Sequence, residues 1–176
     1  MTFGLKFAKH YKMGKRPKIS VIIVNYNGEK WLNNSIDSVA NQTYSNFECI
    51  IIDNGSTDNS LEKIPELDNR FKVIELSKNT GFAYANNFAV KKCQGDWIAL
   101  LNPDAFASPD WLKKLLEATK LFPGIKMGGS TQYLANDNHK FDGIGDFYHI
   151  SGLAWRGKHN QSSIGTVLED REVFGP

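Results

Sequence analysis

From Lys18 onward this 176-residue chain alternates short, β-branched apolar runs with longer amphipathic ones, and that alternation constrains its fold more than any other feature. "ISVIIV" (19–24), "FECIIID" (47–53), "FKVIEL" (71–76) and "DWIALL" (96–101) read as strands. "EKWLNNSIDSVANQ" (29–42), "STDNSLEKI" (56–64), "FAYANNFAVKKC" (82–93) and "PDWLKKLLEATKLF" (109–122) carry helical spacing. Strands apolar on both faces and separated by helices predict an α/β fold with a mostly parallel central sheet and helices on both faces. Ser108, Pro109 and Asp110 supply a start signal for the last of these helices. After Pro123 the periodicity fades. "IKMGGSTQYL" is expected to add a strand, and the Gly-, Asn- and aromatic-rich remainder to form short strands and loops laid over the sheet.

With 41% hydrophobic and 23% charged residues the chain has material for one core, so the expected organisation is a basic arm, 1–17, and a single domain, 18–176. No apolar stretch approaches the roughly 20 residues that span a bilayer, and no signal-peptide pattern opens the chain, so a cytoplasmic location is expected. Cys49 and Cys93 read as small buried hydrophobes. His10, His139, His149 and His159 lack zinc-ligand spacing, which argues against a histidine or thiolate metal centre. Residues 1–18 hold six Lys/Arg and no acid, which leaves 15 basic against 19 acidic residues elsewhere. Phe3, Phe7 and Tyr11 recur every four residues there. An amphipathic helix resting on anionic lipid at the inner face of a membrane is one reading of this arm; a frayed leader, favoured by Gly4, Gly14 and Pro17, is the other. No basic groove with interleaved aromatics continues into the body, so nucleic acid is not an expected partner.

In an open parallel sheet, ligands bind beyond the carboxyl ends of the strands. Here those ends read "NYNG" (25–28), "DNGSTD" (53–58), "SKNTGFAYANN" (77–87) and "NPDA" (102–105), all small and polar. Turn chemistry accounts for Asn25, Asn27-Gly28 and Asn54-Gly55, and helix capping for Ser56 or Thr57. Two acids are not so easily absorbed. Asp53 follows three isoleucines and must find hydrogen-bond donors, which a nucleobase edge or ribose would provide. Asp104 sits too early to cap the next helix. Together they predict a nucleotide held across the sheet edge, its base near the first two strands and its diphosphate near the fourth. Neither G-x-x-x-x-G-K-[ST] nor G-x-G-x-x-G occurs, so the diphosphate charge falls to Mg²⁺ or Mn²⁺ bound by Asp104 and phosphate oxygens.

"ISVIIVNYNG", "IIIDNGSTDNS", "NTGFAYANN" and "LLNPDA", in this order and spacing, resemble the inverting family 2 glycosyltransferases of GT-A fold, especially bacterial cell-surface enzymes of the rhamnosyltransferase type. The likeness covers about residues 18–110 closely and the rest loosely. It implies transfer of a sugar, rhamnose among the candidates, from a dTDP- or UDP-linked donor to a saccharide or lipid-linked acceptor, with inversion, in polysaccharide synthesis. By this resemblance Val24, Asn25, Tyr26 and Asp53 contact the nucleoside, Asn79, Gly81, Phe82 and Asn86 line the donor site, and "NPD" occupies the D-x-D position. Asn54 and Asn102 join the nucleotide-binding set, with Asp104 as the metal ligand. Asn102 replaces the first acid of D-x-D. The family's general base ordinarily follows an "EVFGP"-like stretch, which places it beyond Pro176; Glu169-Asp170 lacks the expected aromatic context. The alternatives are a non-catalytic nucleotide-sugar-binding module and a nucleotidyltransferase, although "NYNGEKW" is a poor phosphate loop. Trp155 and Arg156 are candidates for sugar stacking or phosphate pairing.

Overall fold

A computed structural model describes residues 5–7, 19–148, 151 and 153–169. The chain divides into two compact units, Leu5–Met127 and a second that begins at Gly128. The first is built on five strands: β1 (Leu5–Phe7), β2 (Ile19–Asn25), β3 (Phe47–Asp53), β4 (Phe71–Glu75) and β5 (Trp97–Leu101), in the order β1-β5-β2-β3-β4. β2 to β5 run parallel, and β1 pairs antiparallel at the edge of β5. The backbone of Leu5–Phe7 is therefore a strand, so the helical reading of the basic arm does not hold there. The rest of residues 1–18, and with it the expected lipid contact, lies outside the described residues.

The pattern of β-branched residues explains the sheet. Every residue of β2 is buried, as expected for a strand covered on both faces. On one face Ile22, Val24, Ile50, Ile52 and Ile98 pack against Ala85 and Ala89 of helix α2 (Phe82–Val90). Small residues at those two helix positions let α2 approach the isoleucines closely. Val21, Ile23 and Ile51 point to the other face and are fully buried. Helices α1 (Leu32–Ala40) and α3 (Trp111–Leu121) contribute Leu32, Ile36, Val39, Leu112 and Leu116 to the core. Gln42 ties these two helices together: its Nε2 donates to Ser108 O (2.6 Å), and its Oε1 accepts from Leu112 N (2.9 Å). α3 starts slightly later than Ser108-Pro109 indicates, with Asp110 flanking its first turn and Trp111 N donating to Ser108 O at 3.0 Å.

The expected helix over 56–64 does not form; the segment's polar groups bond to one another, to Asp53 and to the β2–α1 loop, and it runs as turns. Ser56 N donates to Asp53 Oδ2 (2.9 Å), Thr57 N to Asn27 Oδ1 (2.8 Å), Asn59 N to Glu29 Oε2 (3.4 Å) and Ser60 N to Asp58 Oδ1 (3.1 Å). Ser, Thr, Asn and Asp compete with the helical hydrogen-bond pattern in this way. The result is a series of turns laced to the β2–α1 loop.

The second unit contains two antiparallel pairs, β6 (Gln132–Leu134) with β7 (Asp137–Gly143) and β8 (Asp146–Tyr148) with β9 (Ala154–Arg156). Its buried Phe141 stacks on Tyr133, ring centroids 5.5 Å apart.

At the amino end of the sheet, Gly95 N donates to Ser20 Oγ (2.8 Å), and a Cβ on Gly95 would lie 2.5 Å from Ser20 N. The obstacle is backbone within β2, which cannot give way without moving the sheet. Gly95→Ala is expected to cost about 1–3 kcal/mol, the usual range for overpacking, measured as a lower urea midpoint with an unchanged slope.

Candidate functional site

The carboxyl ends of the parallel strands place most of the expected residues along one edge. Asn25, Asp53 and Glu75 are aligned in register across β2, β3 and β4. Asp53 is 2% exposed, and its carboxylate is held from within the protein. Its Oδ1 accepts from Asn25 Nδ2 (2.8 Å) and Ser56 Oγ (2.5 Å), while Oδ2 accepts from Ser56 N (2.9 Å). The "DNGS" spacing turns Asp53 back onto the amide three residues later, an Asx-type turn. Asp53 does need donors, and those recorded come from the chain itself. Oδ2 carries one donor, so it retains acceptor capacity.

Asn25 is fully buried; besides Asp53, its Nδ2 contacts Ser60 Oγ (2.9 Å) and Ser56 Oγ (3.1 Å). Among the described residues its Oδ1 is buried without a partner. Ser60 Oγ in turn donates to Asp58 Oδ1 (2.5 Å), and Asp58 Oδ2 accepts from Glu29 N (2.9 Å). Desolvation raises the Asp58 carboxyl, but hydrogen bonds from the Ser60 hydroxyl and from the amides of Glu29 and Ser60 outweigh it, leaving the group below its usual range. Ser56, Asp58 and Ser60 were not expected as site-building residues. Their signal was present in "DNGSTDNS" but was read as a helix start.

Asn54 and Asn79 form a second staple. Asn54 Nδ2 donates to Asn79 Oδ1 (3.1 Å), while Asn54 Oδ1 accepts from Thr80 N (2.9 Å) and Thr80 Oγ1 (2.8 Å). Gly81 N also donates to Asn79 Oδ1 (2.9 Å). Gly55, at φ +74°, passes so close to this loop that a Cβ would lie 2.5 Å from the Lys78 carbonyl carbon. The loop ends in Gly81 (φ 84°), which opens α2 without a side-chain cap. Phe82 and Tyr84 in the first turn are exposed, whereas Asn86 is buried and donates to Phe82 O at 2.9 Å. Val24 is buried in the core cluster, and Tyr26 is 47% exposed beyond the end of β2.

The fourth strand end differs in character. Asn102 O accepts from Ala105 N (3.1 Å) and Ser35 Oγ (3.2 Å), closing a turn that leaves Asp104 exposed. Among the described residues, the Asp104 carboxylate has no hydrogen bond or ion pair. No group of three or more His, Cys, Asp or Glu side chains is arranged for a metal among those residues. A single free carboxylate suits a hard cation that takes its remaining ligands from phosphate and water.

The remaining expected features are the two cysteines of the first unit and several residues of the second. Cys49 and Cys93 are free thiols; burial pushes Cys49 up, and Cys93 is raised to about 11 by desolvation. In the second unit Trp155 is 53% exposed and stacks on Phe147 (5.9 Å between centroids), while Arg156 Nη1 is bonded to Asp142 Oδ2 at 3.0 Å. Arg156 is thus already paired with a carboxylate. Glu169 is exposed and Asp170 lies outside the described residues. No helix among the described residues is long and apolar enough to cross a membrane.

Comparison with known proteins follows the same edge and extends beyond it. The family model described as "Glycosyl transferase family 2" matches residues 20–164. An uncharacterized glycosyltransferase of Haemophilus influenzae is 45% identical over 159 residues, which is 89% of this chain and 63% of that protein. The O-antigen biosynthesis glycosyltransferase WbnJ of Escherichia coli is 38% identical over 127 residues, 70% of this chain and 49% of the relative. The chain therefore spans about half to two thirds of these relatives' length. Among solved structures, S. aureus TarS 1–349 in complex with UDP-GlcNAc superposes with a TM-score of 0.55 at 28% identity, covering 59% of this chain and 31% of that one.

The Asn54 staple gives a direct expectation. Asn54→Ala removes the partners of Thr80 and Asn79 and should lower stability by about 1–3 kcal/mol. Amide exchange should accelerate most in residues 77–81, as read by hydrogen–deuterium exchange.

Proposed function

The chain belongs to glycosyl transferase family 2, and from that premise we propose that it carries the donor-binding part of an inverting sugar transferase. The donor is a nucleoside diphosphate sugar, UDP- or dTDP-linked, with rhamnose among the candidate sugars. The acceptor is a saccharide or lipid-linked hydroxyl used in cell-surface polysaccharide synthesis. One observation carries this reading: parallel strand ends bring the held carboxylate of Asp53, the stapled Asn54–Asn79–Gly81 loop and the free carboxylate of Asp104 to one sheet edge. That arrangement provides hydrogen-bond acceptors for a nucleoside at one end and a cation ligand at the other. The complex named for TarS contains UDP-GlcNAc, which supports the donor class.

In this reading Tyr26, exposed beyond β2, and Asp53 bind the nucleoside, while Asn79, Gly81 and Phe82 border the diphosphate sugar. Asp104 holds Mg²⁺ or Mn²⁺, with Asn102 setting the turn that presents it. When bound, the cation supplies positive charge to a departing diphosphate. The chain's own contribution is to hold the donor so that its anomeric carbon faces an acceptor hydroxyl. No described residue is assigned as the base that deprotonates that hydroxyl. The location that fits such an activity is the inner face of the cell membrane.

Calorimetry with UDP and dTDP, with and without Mn²⁺, tests the reading. Binding of at least one nucleotide, strengthened by Mn²⁺, is expected. Asp104→Asn should leave the fold intact, because the side chain is exposed, and should remove the Mn²⁺-dependent gain, about tenfold or more in Kd. Nucleotide binding with unchanged metal dependence in this variant would remove Asp104 from the site. Failure of the wild-type chain to bind either nucleotide would overturn the donor-site reading.

A further inference from the structure

We propose that Asn25 is a positioning residue of the donor site, one that touches no ligand and acts by fixing the Asp53 carboxylate for the nucleoside. The inference rests on the donor-site reading above, and it replaces direct nucleoside contact by Asn25 with action through its neighbour.

Asn25 has no free donor to offer a ligand, and its side chain is out of a ligand's reach. It is fully buried, and its two Nδ2 hydrogens face Asp53 Oδ1 at 2.8 Å and Ser60 Oγ at 2.9 Å. Its Oδ1 is buried as well and, among the described residues, lacks a partner. An unsatisfied buried acceptor is unfavourable, so its presence calls for a compensating interaction. Turning the amide over would not relieve it, since that would set the amide oxygen against the Asp53 carboxylate oxygen. The charge of Asp53 therefore decides which way the amide points, and the orphaned oxygen follows from that choice.

The surroundings are cut to this orientation. A Cβ on Gly28 would lie 2.1 Å from Asn25 Oδ1, so only glycine at 28 leaves room for the oxygen. On the donor side Ser56 Oγ, 3.1 Å from Asn25 Nδ2, also donates to Asp53 Oδ1. Asp53 Oδ1 is thereby occupied by two protein donors, and Oδ2 is the oxygen with capacity left for a nucleoside N–H or O–H. Asn25 thus selects the oxygen that binds and holds its plane. The other ionisable groups around the pair are Asp58, reached through Ser60, Glu75, the register partner of Asp53 on β4, and Glu29, which faces Asp58 through its backbone amide.

Asn25→Asp tests this because it keeps the shape and changes only the chemistry. Two carboxylates at hydrogen-bond distance cannot both remain ionised, so the pair must take up a proton to restore the bond. Relative to wild type, Asn25→Asp should bind UDP at least about tenfold more weakly near pH 8, and the gap should narrow as pH falls toward roughly 5. The amide resonance of Ser56, which donates to Asp53 Oδ2, should follow a different pH profile in Asn25→Asp from that in wild type over that range. Asn25→Ser, which removes the amide without adding charge, should weaken UDP binding about tenfold with no new pH dependence. A merely structural role would lower affinity, if at all, by a factor independent of pH in both variants. Wild-type affinity in either folded variant overturns the proposal, as does an Asn25→Asp deficit that ignores pH or the failure of both variants to fold. If wild type itself binds dTDP alone, dTDP replaces UDP as the probe. If it binds neither UDP nor dTDP, the donor-site reading falls and this role falls with it. The Ser56 resonance then still reports whether Asn25 governs the carboxylate, so the two failures are told apart.

Discussion

A carboxylate buried at the end of a β-strand is the constraint around which the first unit's ligand edge is organised. Asp53 is 2% exposed at the end of β3, directly after Ile50, Ile51 and Ile52. An ionised group in that position is tolerated only with hydrogen-bond donors in place. Those donors come from Asn25, 28 residues earlier, and from Ser56, three residues later. Supplying them dictates the neighbouring structure: Asn25 must be an amide, Gly28 must lack a side chain, and residues 56–60 must turn rather than coil into a helix. The turn in its turn frees Asp58 to receive Glu29 N and anchor the start of the β2–α1 loop.

Much of this was legible in the sequence, and what was not has a physical cause. The four parallel strands lie where β-branched runs placed them, because burial on both faces leaves little freedom in register or identity. Helices α1, α2 and α3 follow their amphipathic spacing, with ends shortened by a residue or more. The error at 56–64 came from treating Ser56, Thr57 and Asp58 as helix-capping residues, when Ser56 bonds back to Asp53, Thr57 N donates to Asn27 Oδ1 and Asp58 accepts from Glu29 N. Partners 29 or 30 residues away, such as Asn27 and Glu29, leave no periodic trace. Asp53 and Asp104 read alike as strand-end acids, and nothing in the sequence distinguished the one held by the protein from the one left free. Asn25 read as a turn residue because its bonds to Asp53 and Ser60 depend on a strand pairing that composition does not reveal. The residues after Gly128 were legible only as short strands and loops, since hairpins of three residues carry too little alternation to set a register.

The division between Asp53 and Asp104 has a chemical logic. Recognition of a base or ribose needs acceptors at fixed positions, because discrimination depends on hydrogen bonds whose loss leaves buried groups unpaired. The β2–β3 end meets that need with a carboxylate held by three donors and a loop stapled through Asn54 and Asn79. Cation binding has the opposite requirement. A cation that arrives with a diphosphate takes part of its coordination from phosphate and water, so its protein ligand must keep oxygen lone pairs accessible and unpaired. Asp104, exposed on a turn closed by Ala105 N to Asn102 O at 3.1 Å, satisfies it.

Asn102 at the first position of "NPD" fits this division. A second carboxylate two residues from Asp104 would repel it unless a cation were already bound, and would make the empty turn less favourable. With asparagine there, the side chain is neutral while the backbone carbonyl joins the turn to Ser35 of α1 at 3.2 Å. In the proposed site one acid would then carry the metal-binding role and the other position the geometry. In that proposed site the same separation holds at the nucleoside end, where Asp53, closing β3, bears the charge and Asn25, closing β2, aims it.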